Sequence, residues 1–165
     1  MEDLTAFVRR AQPEVWRFCA SLAGRDEADD LTQETFARAL RALPSFRGES
    51  STRTWLLAIA RRVVADHVRA EQRRRRRLAR LRAQPNVNRT VPGPSAAHAL
   101  ADLVRGLDDD RRDAFVLTQV LGLSYAEAAE VCGCEIGTIR SRVARGRREL
   151  LDRLAPAVAE EQHHH

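Results

Sequence analysis

The chain has 165 residues, 28 basic and 23 acidic side chains, and a formal net charge of +5. Its 44% hydrophobic and 31% charged content suits a folded chain and excludes wholesale disorder. No apolar run approaches the ~20 residues of a membrane span, and the Met1–Thr5 start is no secretory signal, so a cytoplasmic chain without membrane insertion is expected.

In chain order, Leu4, Phe7, Val8, Ala11, Val15, Cys19 and Leu22 recur at helical spacing, with Pro13 a place to kink or divide the helix. Leu31, Thr35, Phe36, Ala39, Leu40 and Leu43 mark a second amphipathic helix ending before Pro44. Residues 45–52 (SFRGESST) read as a loop, and Ser50 or Ser51 as the N-cap of a third helix. That helix buries Trp55, Ile59 and Val63, and its apolar period fades near Val68, so Arg73–Arg77 lies beyond the core. Three of the six prolines fall within residues 83–95, where no apolar period survives, and this stretch is expected to be a flexible linker. Beyond it, Ala99, Leu100, Leu103, Val104 and Leu107 predict a short helix, and Asp108 or Asp109 caps the next, which Gly122 ends. The predicted fold is all-α: a domain over 1–80, a linker over 81–97, a second domain over 98–155 and a tail over 156–165. His163, His164 and His165 resemble the stub of an affinity tag and are set aside.

Every basic residue is Arg, so any phosphate contact is made by guanidinium forks. The charge is segregated. Residues 61–82 hold ten Arg against Asp66 and Glu71, and residues 138–148 hold five Arg and no acid. Residues 1–43 and 95–131 carry more acids than Arg. Two basic stretches separated by a nearly neutral linker suggest two contacts with one polyanion.

The strongest motif is residues 124–148, SYAEAAEVCGCEIGTIRSRVARGRR. Ser124 and Glu127 form a capping box, Gly133 permits a left-handed turn, and a second helix follows from about Glu135. Ile136, Ile139 and Val143 form its expected buried stripe. Arg140, Ser141, Arg145 and Arg148 fall elsewhere on the cylinder. This is a helix-turn-helix, whose second helix presents its N-terminal half to base edges. Cys132 and Cys134 lack partners for a zinc site and read as packing, and Cys19 completes an odd set that excludes a disulfide scaffold. No cofactor, metal site or catalytic constellation is expected. Asp29 and Asp30 are adjacent and so point in different directions on a helix.

Together the two halves resemble the extracytoplasmic-function sigma factors of the sigma-70 family, and within them the sigma C type. Residues 29–36 (DDLTQETF) resemble the core-binding segment. Residues 45–48 (SFRG) with 54–61 (TWLLAIAR) resemble the promoter-melting segment, and residues 121–127 (LGLSYAE) with 137–142 (GTIRSR) resemble region 4. The resemblance covers roughly 130 residues and implies a non-enzymatic protein that lends promoter specificity to core RNA polymerase. It implies polymerase contact through Asp29, Asp30, Leu31, Gln33 and Glu34, on the clamp of the largest subunit, and a region 4 contact with the flap of the second largest. It places Phe46, Arg47, Arg61, Arg62, Asp66 and Arg69 at the −10 element, with Phe46 and Arg62 at the pocket for a base turned out on melting. Relatives often carry Asn at the position of Arg62. It places Thr138, Arg140, Ser141, Arg142 and Arg145 at the −35 element. The linker would thread the polymerase, and an anti-sigma factor is a further implied partner.

Read from the residues alone, Phe46 is equally a loop side chain tucked inward, Trp55 is core, and residues 26–34 are a charged helix start favoured by the helix dipole. Three rival readings fit the residues less well. A plain helix-turn-helix regulator leaves residues 46–62 unexplained. A helical enzyme lacks a His, Cys and acid cluster. A charge-driven RNA binder has no need of the helix-turn-helix stripe.

Overall fold

The computed structural model describes residues 4–81 and 96–161, so the expected linker over 83–95 lies outside the described residues. Among the described residues all regular structure is helical. Three helices build the first unit: α1 (Leu4–Ala23), α2 (Arg25–Ala42) and α3 (Thr52–Leu81). Pro13 sits inside α1 without dividing it. Gly24 alone separates α1 from α2, and its φ of 96° is a backbone state that side-chain-bearing residues avoid. The chain therefore reverses on one residue and α2 folds back on α1. A 3-10 turn, Leu43–Ser45, follows α2, with Pro44 at its start. Ser51 caps α3 by accepting from the Thr54 amide at 3.0 Å.

The core of this unit is Val15, Phe18, Leu22, Leu31, Leu56, Leu57, Val63 and Val64. Buried Thr32 and Thr35 satisfy their hydroxyls on the Ala28 and Leu31 carbonyls, each at 2.7 Å. Burying a hydroxyl without such a partner would cost about 1–3 kcal/mol. Cys19 packs there with no exposure. Burial pushes its thiol up to about 11, so it stays protonated.

The second unit holds α4 (Ala96–Arg105), α5 (Asp109–Phe115), α6 (Tyr125–Cys132) and α7 (Ile136–Glu161). Asp108 caps α5, accepting from the Arg111 amide at 3.1 Å. Residues 116–120 wind more loosely, as a π turn, before Gly122 at φ 72°. Leu117, Ala128, Val131, Ile139, Val143 and Leu150 are buried here.

The two units share one continuous hydrophobic cluster. The helix α3 packs on α6, and α1 meets α4 and the π turn. Polar contacts reinforce this seam. Arg17 donates to the Val120 carbonyl at 3.1 Å and Arg53 to the Leu121 carbonyl at 3.2 Å. Arg53 also pairs with Glu14 and lies 3.8 Å from Glu127. No helix among the described residues is long and apolar enough to cross a membrane.

Candidate nucleic-acid interface

The start of α3 and the loop before it make the first candidate surface. The Phe46 amide donates to the Leu43 carbonyl at 3.1 Å, which holds the loop against the 3-10 turn. The Phe46 and Trp55 rings meet with centroids 4.7 Å apart and planes tilted by 37°. Both rings are half-buried. Trp55 leans on the core, as read from sequence, and Phe46 covers its outer face. Arg47 and Arg62 are exposed and make no ion pair among the described residues; Arg47 follows Phe46 in the loop, and Arg62 stands about two helical turns beyond Trp55 on α3. Asp66 is engaged by Arg38 at 2.8 Å and Arg69 at 2.7 Å. Those hydrogen bonds, Arg38 first, hold its carboxyl below the ordinary range.

Arg61 departs from the expected picture of a −10 contact. It turns away from Arg62 and into the seam between the units. Its Nε donates to Asp113 at 2.7 Å, and its Nη2 lies 3.6 Å from Asp110. Asp113 has only 9% of its side chain exposed. Burial pushes its carboxyl up, and the charge and hydrogen bond of Arg61 offset part of that. The Asp113 contact in turn keeps Arg61 firmly charged despite its own burial.

The second surface is the helix-turn-helix. Both bonds of the capping box are present: the Ser124 amide donates to Glu127 at 2.8 Å, and the Glu127 amide to Ser124 Oγ at 3.2 Å. Gly133 adopts φ 64° and ψ 42°. Its amide reaches the Glu130 carbonyl and the Cys134 amide reaches Ala129, the paired bonds of a left-handed helix stop. This turn sets the entry angle of α7. Ile139, Val143 and Leu150 then face inward, and Gly146 lets Leu107 and Arg111 come close. Ile136 is a correction to the predicted stripe: it is 44% exposed, because α7 begins there and its first turn overhangs the α6 contact.

The opposite side of α7 presents Arg140, Ser141, Arg145 and Arg148 to solvent. The three arginines make no ion pair among the described residues. Ser141 Oγ donates to the Thr138 carbonyl at 3.0 Å, and Thr138 is half-buried. Arg142 points elsewhere. It donates to Asp110 at 3.0 Å, beside Cys134 Sγ at 3.7 Å. Asp110 therefore touches an arginine from each basic stretch, a link between distant residues with no local sequence signal.

The acidic segment of α2 is also split. Asp30 and Gln33 are exposed. Asp29 accepts from Trp16 Nε1 at 2.7 Å, and Glu34 pairs with Arg38 at 2.7 Å. Leu31 is 6% exposed, so its side chain serves the core and presents no surface. Among the described residues no group of His, Cys, Asp and Glu is arranged to hold a metal ion.

Known proteins share this arrangement. Residues 7–74 match Sigma-70 region 2 and residues 97–150 match Sigma-70, region 4. The chain is 52% identical over 154 residues to the ECF RNA polymerase sigma factor SigC of Mycobacterium tuberculosis, covering 90% of this chain and 81% of that one. It is 39% identical over 156 residues to the ECF sigma factor EcfG of Rhodopseudomonas palustris, covering 90% and 83%. Among solved structures, the sigma factor RpoE of Bartonella quintana in complex with the anti-sigma factor NepR matches with a TM-score of 0.77 and 29% identity, over 94% of this chain and 98% of that one. CnrH in complex with the cytosolic domain of CnrY matches at 0.69 and 27% identity, over 92% and 87%. With both sigma-70 regions in order on one helical chain, this protein belongs to the extracytoplasmic-function sigma factors, the alternative sigma factors that direct promoter-specific transcription initiation.

Proposed function

We propose that this sigma factor divides promoter recognition between the two exposed surfaces described above. The observation that carries the reading is the separation of the free cations into two sets. Arg47 adjoins the Phe46–Trp55 pair and Arg62 stands about two turns further along α3, while Arg140 and Arg145 line the open side of α7. The first set suits an unpaired base: a ring to stack on and guanidiniums to hold the flanking phosphates. The second suits a major groove, where Arg reads guanine bidentately.

Polymerase docking falls to the exposed acids and amides of α2, above all Asp30 and Gln33, on the clamp of the largest subunit. Region 4 adds a contact with the flap of the second. The protein carries no chemistry of its own in this scheme and works in the cytoplasm, where its polymerase is. An anti-sigma factor is a further partner, a reading supported by the solved neighbour RpoE, which is in complex with the anti-sigma factor NepR.

Run-off transcription with core polymerase on a promoter library tests the whole scheme. The expected result is transcription only from templates carrying a −35 and a −10 sequence at fixed spacing. Tight binding to promoter DNA by the protein alone, with no effect on polymerase, would overturn it. Asp30→Arg is expected to weaken co-elution with core polymerase on a sizing column while leaving helix content unchanged.

A further inference from the structure

The helix α3 outlasts its core. Val64 is its last buried residue and Val68 its last half-buried apolar one. From Arg69 to Leu81 every residue except Glu71 is exposed, and the stretch holds Arg69, Arg73–Arg77 and Arg80. Arg69 and Arg74 have acidic partners, Asp66 and Glu71. Arg73, Arg75, Arg76, Arg77 and Arg80 make no ion pair or hydrogen bond among the described residues. Packing does not explain this extension, and charge opposes it, because like charges three and four residues apart destabilise a helix.

The arginines are also ordered around the helix. At about 100° per residue, Arg62, Arg69, Arg73, Arg76, Arg77 and Arg80 fall within an arc of about 100°. They form one stripe that begins at the proposed −10 surface and runs about 27 Å along a single continuous helix. Only Asp66 interrupts it, and Asp66 is already neutralised by Arg38 and Arg69.

We propose that this stripe is a sequence-independent binding surface for the phosphates of duplex DNA upstream of the −10 element. Duplex rather than single-stranded nucleic acid is favoured because residues 69–81 contain no aromatic side chain on which a free base could stack. A straight row of guanidiniums on one face instead matches a regular, rigid line of phosphates. On a duplex lying along α3, Arg73 to Arg80 sit about 16–27 Å from Arg62, or about 5–8 base pairs upstream of the contact made there. The inference rests on the proposed −10 role of Arg62 for its register. It assigns these residues affinity, with no part in choosing the sequence.

The test uses full-length R73Q/R76Q/R77Q/R80Q protein assembled with core polymerase, since Gln keeps helix propensity while removing charge. Promoter binding is measured across a salt series. The variant is expected to lower the magnitude of the salt slope by about 3–4 units, and to weaken good and poor −10 sequences by the same factor. Hydroxyl-radical footprints should lose protection about 5–8 base pairs upstream. Making those base pairs single-stranded in the template should erase the difference between variant and wild type. An unchanged slope and footprint on duplex would overturn the proposal, as would a difference that survives on the single-stranded template. If the quadruple variant loses helix by circular dichroism, R76Q and R77Q singly should each lower the slope by about one unit, and no change in either would overturn it equally. Wild-type holoenzyme that opens DNA without regard to the −10 sequence would instead sink the reading of Arg62.

Discussion

Phe46 and Trp55 differ in what holds them, and that difference separates their roles. Trp55 belongs to α3 and rests on the core, whereas Phe46 is held by one amide bond and by the Trp55 ring. Removing Phe46 therefore costs little of the fold and uncovers the face of Trp55. Phe46→Ala is expected to leave closed promoter complexes intact and to reduce open ones, read as weaker permanganate reactivity of thymines near −10. Unchanged reactivity would make Phe46 a cover for Trp55 and nothing more. On α7, Arg140 and Arg145 are five residues apart, about 140° around the helix, and cannot read the same base. Arg140 lies nearer the helix N-terminus, the end that enters the groove. Arg140→Ala is expected to cost about 1–3 kcal/mol on the preferred −35 sequence and to relax selection at one position. Arg145→Ala should weaken all sequences alike and lower the salt slope by about one unit. Selection from a −35 library with each variant distinguishes them. Preference left intact by Arg140→Ala would move base reading to another residue.

The helix-turn-helix was legible because its devices are local. Ser124, Glu127 and Gly133 act on backbone groups within five residues, so the sequence spacing already states the geometry. The same holds for the caps at Ser51 and Asp108. Substitution should show this independence from tertiary context. Ser124→Ala is expected to cost about 0.5–2 kcal/mol through its lost cap. Gly133→Ala should cost about 1–2 kcal/mol through φ alone, since a Cβ there meets no atom within 4 Å. Urea midpoints measure both, and a neutral Gly133→Ala would show that the turn had re-formed around another residue. Signals that depend on a neighbouring element were less readable. Ile136 has the right period for the stripe, yet it precedes the crossing with α6 and is exposed. The π turn at residues 116–120 has no signature of its own and depends on the Leu121 and Leu123 amides reaching back to the Val116 and Leu117 carbonyls. The strap from α2 to α3 through Arg38, Asp66 and Arg69 joins residues up to 31 positions apart. Its sign follows from the lowered Asp66 carboxyl. The stabilisation is present above the ordinary carboxylate value and is lost as pH falls through the lowered one. The stability gap between wild type and Asp66→Asn should therefore close in acid, and a gap independent of pH would assign the effect to packing.

At the scale of the whole molecule, the seam between the two units was the feature least visible in sequence. Composition separates them by a proline-rich stretch, and that is an argument about chain stiffness. It says nothing about whether two folded surfaces fit. They do fit: α3 lies on α6 across a continuous core, and Arg61 reaches 52 residues along the chain to Asp113. The family resemblance places Arg61 at the −10 element, whereas the fold gives it a carboxylate. Cys132, close enough to feel both charges, reports on this contact. Burial raises its thiol to about 12, so it is protonated and slow to react. Asp113→Asn keeps the shape of the side chain and removes the charge, which leaves the half-buried Arg61 guanidinium with only the longer, more exposed contact to Asp110. A loss of one to two kcal/mol at the seam raises the open population about 5–30-fold. Iodoacetamide labelling followed by peptide mass mapping should then show Cys132 reacting faster by a similar factor. Cys19, sealed in the core of the first unit, supplies the internal control and should not change. Equal acceleration at both cysteines would mean general loosening of the fold. No acceleration at Cys132 would mean that the apolar contact of α3 on α6 holds the units together without the ion pair.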